Sequence, residues 1–284
     1  MTQVGPLDVD IDGIVARVLR EHLPGKHDQK THGRGSAGAA VKIDNVVAGA
    51  NTPYALADKV TAAISGAQVN EVRLYANECD QVNTHGSFDL DRRNVLISED
   101  ISKRLVSIVE KGKVNESNWK DFHVLVHEVH HSSSPLLKAD SKPKGYNWNE
   151  LEEGLNEHFS RQISQRMAFG NNVPSSIRLA SSPYTRDLRA VNWMEQQSPG
   201  IARRIWNANS PEARWKIAEQ VIKPGIEKAL ASKGYKPREV QKLVSELGHR
   251  GAYQVVALGH LQAWHAMTRR QVTLKFRDSY DIRL

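Results

Sequence analysis

Apolar positions recur along this chain in two rhythms, a three-to-four repeat and a strict alternation, and the changes of rhythm mark its elements. NTPYALADKVTAAISG, residues 51–66, carries the helical repeat, with Pro53 at its start and Gly66 just past its end. EVRLYAN, 71–77, alternates and predicts a strand. GSFDLDRRNVLISED, 86–100, predicts a hairpin that turns at Arg92-Arg93-Asn94. ISKRLVSIVEKG, 101–112, is amphipathic and ends on Gly112 as its cap. In WKDFHVLVHEVHHS, 119–132, the residues Trp119, Phe122, Val126 and Val129 make one buried stripe. Ser117 or Asn118 caps that helix, and Pro135 stops it. YNWNELEEGLNEHFSRQI predicts a second helix, in which Leu151, Leu155, Phe159 and Ile163 step by four.

Beyond this point the pattern is helical. SPYTRDLRAVNWMEQQS predicts a helix from Ser182 or Pro183, and Ser210-Pro211 starts another that Pro224-Gly225 breaks or kinks. Two more follow in KPREVQKLVSELG and GAYQVVALGHLQAWHAMTRRQ. The tail VTLKFRDSYDIRL alternates, as a last strand or a docking segment would. Strands early and helices late imply an α+β fold: a small mixed sheet with the 119–132 helix, then a mainly helical C-terminal lobe. The chain divides into an N-terminal helix and flexible linker (1–40), an α+β lobe (41–145) and a helical lobe (146–284).

Composition narrows the setting. A chain of 284 residues can bury a sizeable core as one large domain or two lobes. No run is long and apolar enough for a membrane span, and the polar N-terminus has no secretory h-region. The expectation is a cytoplasmic protein at synthesis. The single Cys79 excludes an internal disulfide framework and reads as a buried bystander. A net charge of +7 suits weak contact with nucleic acid or an acidic partner, or simply a solvated basic surface.

The chemistry sits on the 119–132 helix. His127, Glu128 and His131 form HExxH, and residues four apart share a helix face, so two imidazoles can hold one metal ion. Glu128 lies beside that face, within reach of a water on the metal. Catalytic zinc sites use three protein ligands and keep a fourth position open. The next helix carries Glu150, Glu153 and Glu157 as a carboxylate stripe, and a carboxylate from that helix is one way to complete the set. His123 and His127 are an alternative pair, but Val124 stands where a base would be needed. His130 points about 100° away from His131 and suits a supporting hydrogen bond instead. His249, His260 and His265 suit packing or surface roles.

HEVHH followed by LEEGLNEHF resembles the zincin metallopeptidases, in particular the gluzincin (thermolysin-like) branch, over roughly residues 70–195. The resemblance implies Zn2+ held by His127, His131 and Glu153, with Glu128 as general base and Glu157 orienting a ligand histidine. Glu150 is nearer the commonest spacing and is the alternative third ligand. It also implies a strand, here Val95, Leu96, Ile97 and Ser98, as the sheet edge that pairs with extended substrate. A Tyr from a later helix would stabilise the oxyanion. Tyr184 is the candidate, with Arg186 and Arg189 as electrostatic alternatives. The 132–149 connection, which joins the two ligand helices, is expected to border the cleft.

GKHDQKTHGRG, within the Gly-, Lys- and His-rich stretch 24–40, resembles tracts in head-associated proteins of tailed bacteriophages. That resemblance implies a phage or prophage setting, with capsid proteins as possible partners and virion association. His27 and His32 in this tract read as solvated. Beside a zinc metallopeptidase stand two other readings: a virion- or DNA-associated structural protein with a non-catalytic zincin-like domain, and a proteolytic toxin or host-takeover factor.

Overall fold

Thr52 starts the first helix of this computed structural model, its hydroxyl accepting the Ala55 N–H at 3.1 Å. The structure describes residues 46–81, 84–137, 150–178, 180, 183–232, 234, 236–246, 252–253 and 256–257. The tract at 24–40, with His27 and His32, lies outside them, as do His249, His260, His265, the C-terminal tail and most of the 132–149 connection.

The α+β class is observed, with a three-stranded mixed sheet and mostly helical content. Helix α1 (Pro53–Ala63) precedes β1 (Glu71–Arg73), and α2 (Asn77–Gln81) precedes the hairpin β2 (Gly86–Asp89) and β3 (Asn94–Ile97). Asp89 Oδ1 closes the hairpin turn by accepting the N–H groups of Asp91 and Arg92 at 2.9 and 3.0 Å. Helix α3 (Glu99–Lys111) runs from the Ser98 cap to Gly112, whose φ of 62° reverses the chain. Then come α4 (Trp119–His131), a single 3-10 turn (Pro135–Leu137), α5 (Glu150–Phe169), α6 (Ser175–Arg178), α7 (Thr185–Gln197), α8 (Ile201–Trp206), α9 (Pro211–Ala231) and α10 (Pro237–Glu246).

Three sequence expectations need correction. The strand expected over 71–77 ends at Arg73. Tyr75 takes φ 57°, and its N–H leaves the ladder for Ser102 Oγ at 2.9 Å. The strand order is β1-β3-β2, with β3 parallel to β1 and antiparallel to β2. Val95, Leu96 and Ile97 are therefore in the central strand, their backbone flanked on both sides, and cannot accept a substrate strand. Ser98 is buried as the cap of α3. Finally, α9 is not broken at Pro224 but runs on through it. The lost hydrogen bond costs about 3 kcal/mol, offset here by burial of Ile222 and Ile226 and by Trp193, which lies where a Cβ on Gly225 would be.

Among the described residues two apolar cores form. The first joins α1, the sheet, α3 and α4 through Val60, Val95, Leu105, Phe122 and Val126, and reaches Met167 and Ile177. The second joins α7 to α10 through Val191, Ile205, Ile222 and Val244. Helix α5 belongs to both, giving Leu151 and Leu155 to the second and Met167 to the first. The 145/146 division thus falls ahead of a shared helix rather than between separate cores.

Candidate metal centre

Helices α4 and α5 pack side by side, and Gly154 is what lets α5 also lie against α7. A Cβ there would stand 2.7 Å from the Asp187 carbonyl oxygen and 2.7 Å from the Tyr253 hydroxyl. Glu153, next to Gly154, reaches α4. Its Oε2 lies 3.4 Å from His127 Nε2 and 3.4 Å from His131 Nε2. These three donors, two buried imidazoles and a half-buried carboxylate, form a group able to hold a metal ion. His127 Nε2 and Glu153 Oε2 are shut off from solvent, and neither makes a hydrogen bond. Two buried groups facing each other unsatisfied are costly unless a cation lies between them.

The charges agree. Burial opposes an imidazolium at His127, but the carboxylates of Glu153 and Glu157 outweigh it and lift the pKa from 6.5 to about 10. Burial likewise works to raise the Glu153 carboxyl, yet His131 and His127 hold it down at about 2. This position calls for positive charge, and either a proton or a metal ion can supply it.

A second group, His123, His127 and Glu157, also has metal-binding spacing. Its facing donor atoms already have hydrogen-bond partners. Glu157 Oε2 sits 3.1 Å from both His123 Nε2 and His127 Nδ1, and His123 Nδ1 is 3.0 Å from Ser164 Oγ. Arg161 Nη1, 3.6 Å from Glu157 Oε1, brings a cation of its own. Burial would raise the Glu157 carboxyl, but His123 and His127 push it far below the usual range. Glu157 thereby fixes the His127 ring with Nε2 turned to Glu153, the arrangement typical of ligand histidines. His123 serves the same carboxylate and stacks on Trp119 at 4.9 Å.

Glu128 is buried beside the donors, and that burial raises its carboxyl pKa against the pull of His127 and His131. Gly86 of β2 presses on it: a Cβ there would be 2.8 Å from Glu128 Cγ. Tyr184 stacks flat on His127, centroids 4.8 Å apart and planes 1° apart. Burial, then Glu153 and Glu128, push its phenol up, so it stays neutral. Phe88 stacks on His131 at 6.5 Å.

Other candidates lie elsewhere. Glu150 belongs to neither donor group, and its carbonyl accepts the Tyr253 hydroxyl at 3.0 Å. His130 bonds Asn156 Oδ1 at 2.6 Å and stacks on Trp206 at 4.8 Å, so it meets the ligand set only through Asn156, whose Nδ2 donates to the His127 carbonyl at 3.0 Å. Burial drives the His130 pKa down to about 3, leaving a neutral ring. Arg186 and Arg189 are exposed, and Cys79 is buried.

Gly86, Asn156 and Arg161 had no signal in local spacing, because each acts through contacts between elements distant in sequence. Compared with known protein families, curated proteins and solved structures, the chain matches none.

Proposed function

We propose that the protein is a zinc-dependent metallopeptidase that hydrolyses peptide bonds. The observation that carries this reading is the convergence of His127, His131 and Glu153 with Glu128 beside them. Donors arranged tetrahedrally at about 2.0–2.1 Å from one zinc ion stand about 3.3–3.4 Å apart. The two carboxylate-to-imidazole separations are 3.4 Å. Three protein donors are also the number catalytic sites use, whereas structural sites close with four.

Zinc bound there supplies a Lewis acid that acidifies a water and polarises the scissile carbonyl. Glu128 accepts the proton of the attacking water and delivers it to the leaving amine. Glu157 keeps the His127 ring from turning. The neutral Tyr184 phenol is the candidate donor to the developing oxyanion. β2 replaces β3 as the strand for substrate. It has no outer strand partner among the described residues and passes against Glu128, so an extended peptide can add to it through main-chain hydrogen bonds.

The test is metal analysis of the purified protein, followed by incubation with a peptide library with and without chelator. Stoichiometric zinc and chelator-sensitive cleavage are expected; a protein that takes up no metal overturns the reading. Gly86→Ala checks the β2 contact. The new methyl displaces Glu128 or the strand, and a misplacement near 1 Å costs about 100-fold in rate. Zinc content should be unchanged while kcat falls by that order. No helix among the described residues is long and apolar enough to cross a membrane. Association with a phage particle rests on the 24–40 tract and is tested by asking whether the protein copurifies with virions.

A further inference from the structure

We propose that Arg214 is a positioning residue for the metal centre, acting through both helices that carry its ligands. The proposal rests on the metal reading above.

Arg214 lies on α9, sixty-two residues from Glu152, and is fully buried. Its guanidinium reaches three elements at once. Nη1 donates to the Glu152 carboxylate, immediately before Glu153 on α5. Nη2 donates to Ser134 Oγ at 3.1 Å and to the Trp206 carbonyl. Ser134 in turn gives its N–H to the His131 carbonyl at 3.1 Å, so this bond fastens the end of α4. The guanidinium also lies over the Trp206 ring, 5.0 Å from its centroid, and that ring stacks on His130. One planar fork therefore touches the chain next to Glu153 and three residues past His131.

The geometry gives the fork a purpose beyond cohesion. The ligand atoms of α4 and α5 meet at 3.4 Å, and a relative slide of the two helices by a fraction of an ångström would change that separation directly. A rigid, delocalised guanidinium holds several acceptors in fixed relation, which a lysine ammonium cannot do. Glu152 and Arg214 are each at most 1% exposed, so the link is not loosened by competing water.

The test separates positioning from stability. A buried ion pair replaced by apolar side chains of similar size is often neutral for folding. The double variant Arg214→Met with Glu152→Leu is therefore expected to fold, with a Tm lowered only by the loss of the guanidinium's bonds to Ser134 Oγ and the Trp206 carbonyl. Its zinc affinity, measured by chelator competition, should fall about 10–100-fold, the usual cost of losing an outer support of a metal ligand. Its cobalt-substituted form should show a weakened or shifted d–d band. Ser134→Ala removes the Arg214 Nη2–Ser134 Oγ bond that links the fork to the end of α4, keeps the backbone bond to the His131 carbonyl, and should weaken zinc binding several-fold; it decides the matter if the double variant does not fold. A folded variant with wild-type affinity and a wild-type cobalt spectrum overturns the positioning role while leaving the metal reading intact. Wild-type protein that binds neither zinc nor cobalt overturns both.

Discussion

Glu128→Gln should retain zinc and lose peptide cleavage by about 10²- to 10⁴-fold, the range that a positioned general base contributes. The substitution keeps the side chain's volume, so the tight contact with Gly86 survives. It removes a buried carboxylate that lies beside the metal-ligand group, is not itself a ligand, and can take a proton from water. Burial raises the Glu128 carboxyl pKa, which brings the base closer to the working pH. A base acts only when deprotonated, so wild-type kcat/KM should fall as pH drops through the Glu128 pKa, which burial raises and a bound zinc ion would lower. That acid limb should vanish from whatever activity the Gln variant keeps. Zinc content by metal analysis and kcat on a cleaved peptide are the two measurements. A zinc-loaded variant that cleaves at the wild-type rate would remove Glu128 from the mechanism.

Local spacing in the sequence carries much of this site. HExxH needs only the helical repeat to place His127 and His131 together, and Trp119, Phe122, Val126 and Val129 mark that helix unambiguously. The choice between Glu150 and Glu153 was not local. It depends on the register of α5 against α4, which places Glu153 Oε2 3.4 Å from both His127 Nε2 and His131 Nε2. Strand order is equally invisible to periodicity. Val95 to Ile97 look alike at an edge or at the centre, and only pairing with both β1 and β2 shows them to be central. Tyr75 ends β1 by a left-handed turn that its residue type does not advertise. Pro224 reads as a helix breaker, yet tertiary packing carries α9 past it. Arg214 reads as one more surface charge of a basic chain, and its partners Glu152 and Ser134 are sixty-two and eighty residues away.

Removing the metal should destabilise the protein by about 4 kcal/mol when free zinc had been held near a thousand times its Kd, because binding to the folded state alone stabilises by mass action. His131→Ala should show the same loss and no response to added zinc. The size of the zinc effect should depend on pH, and its sign follows from His127. In the metal-free protein Glu153 and Glu157 overcome burial and lift the His127 pKa to about 10 from 6.5. A folded-state pKa raised in this way adds stability that is fully present below about 6.5 and is lost as pH rises through about 10. Metal-free protein should therefore weaken across that window. In the zinc-loaded protein the same ring nitrogen is committed to the ion, so this loss is absent. The gap in Tm between loaded and metal-free protein should widen from pH 7 to pH 9 at constant, chelate-buffered free zinc. Near neutral pH, zinc uptake should release up to one proton from His127, visible as a calorimetric binding enthalpy that varies with the buffer's ionisation heat. A gap that stays constant with pH, together with no proton release, would place the metal away from His127 and dissolve the ligand set proposed for this centre.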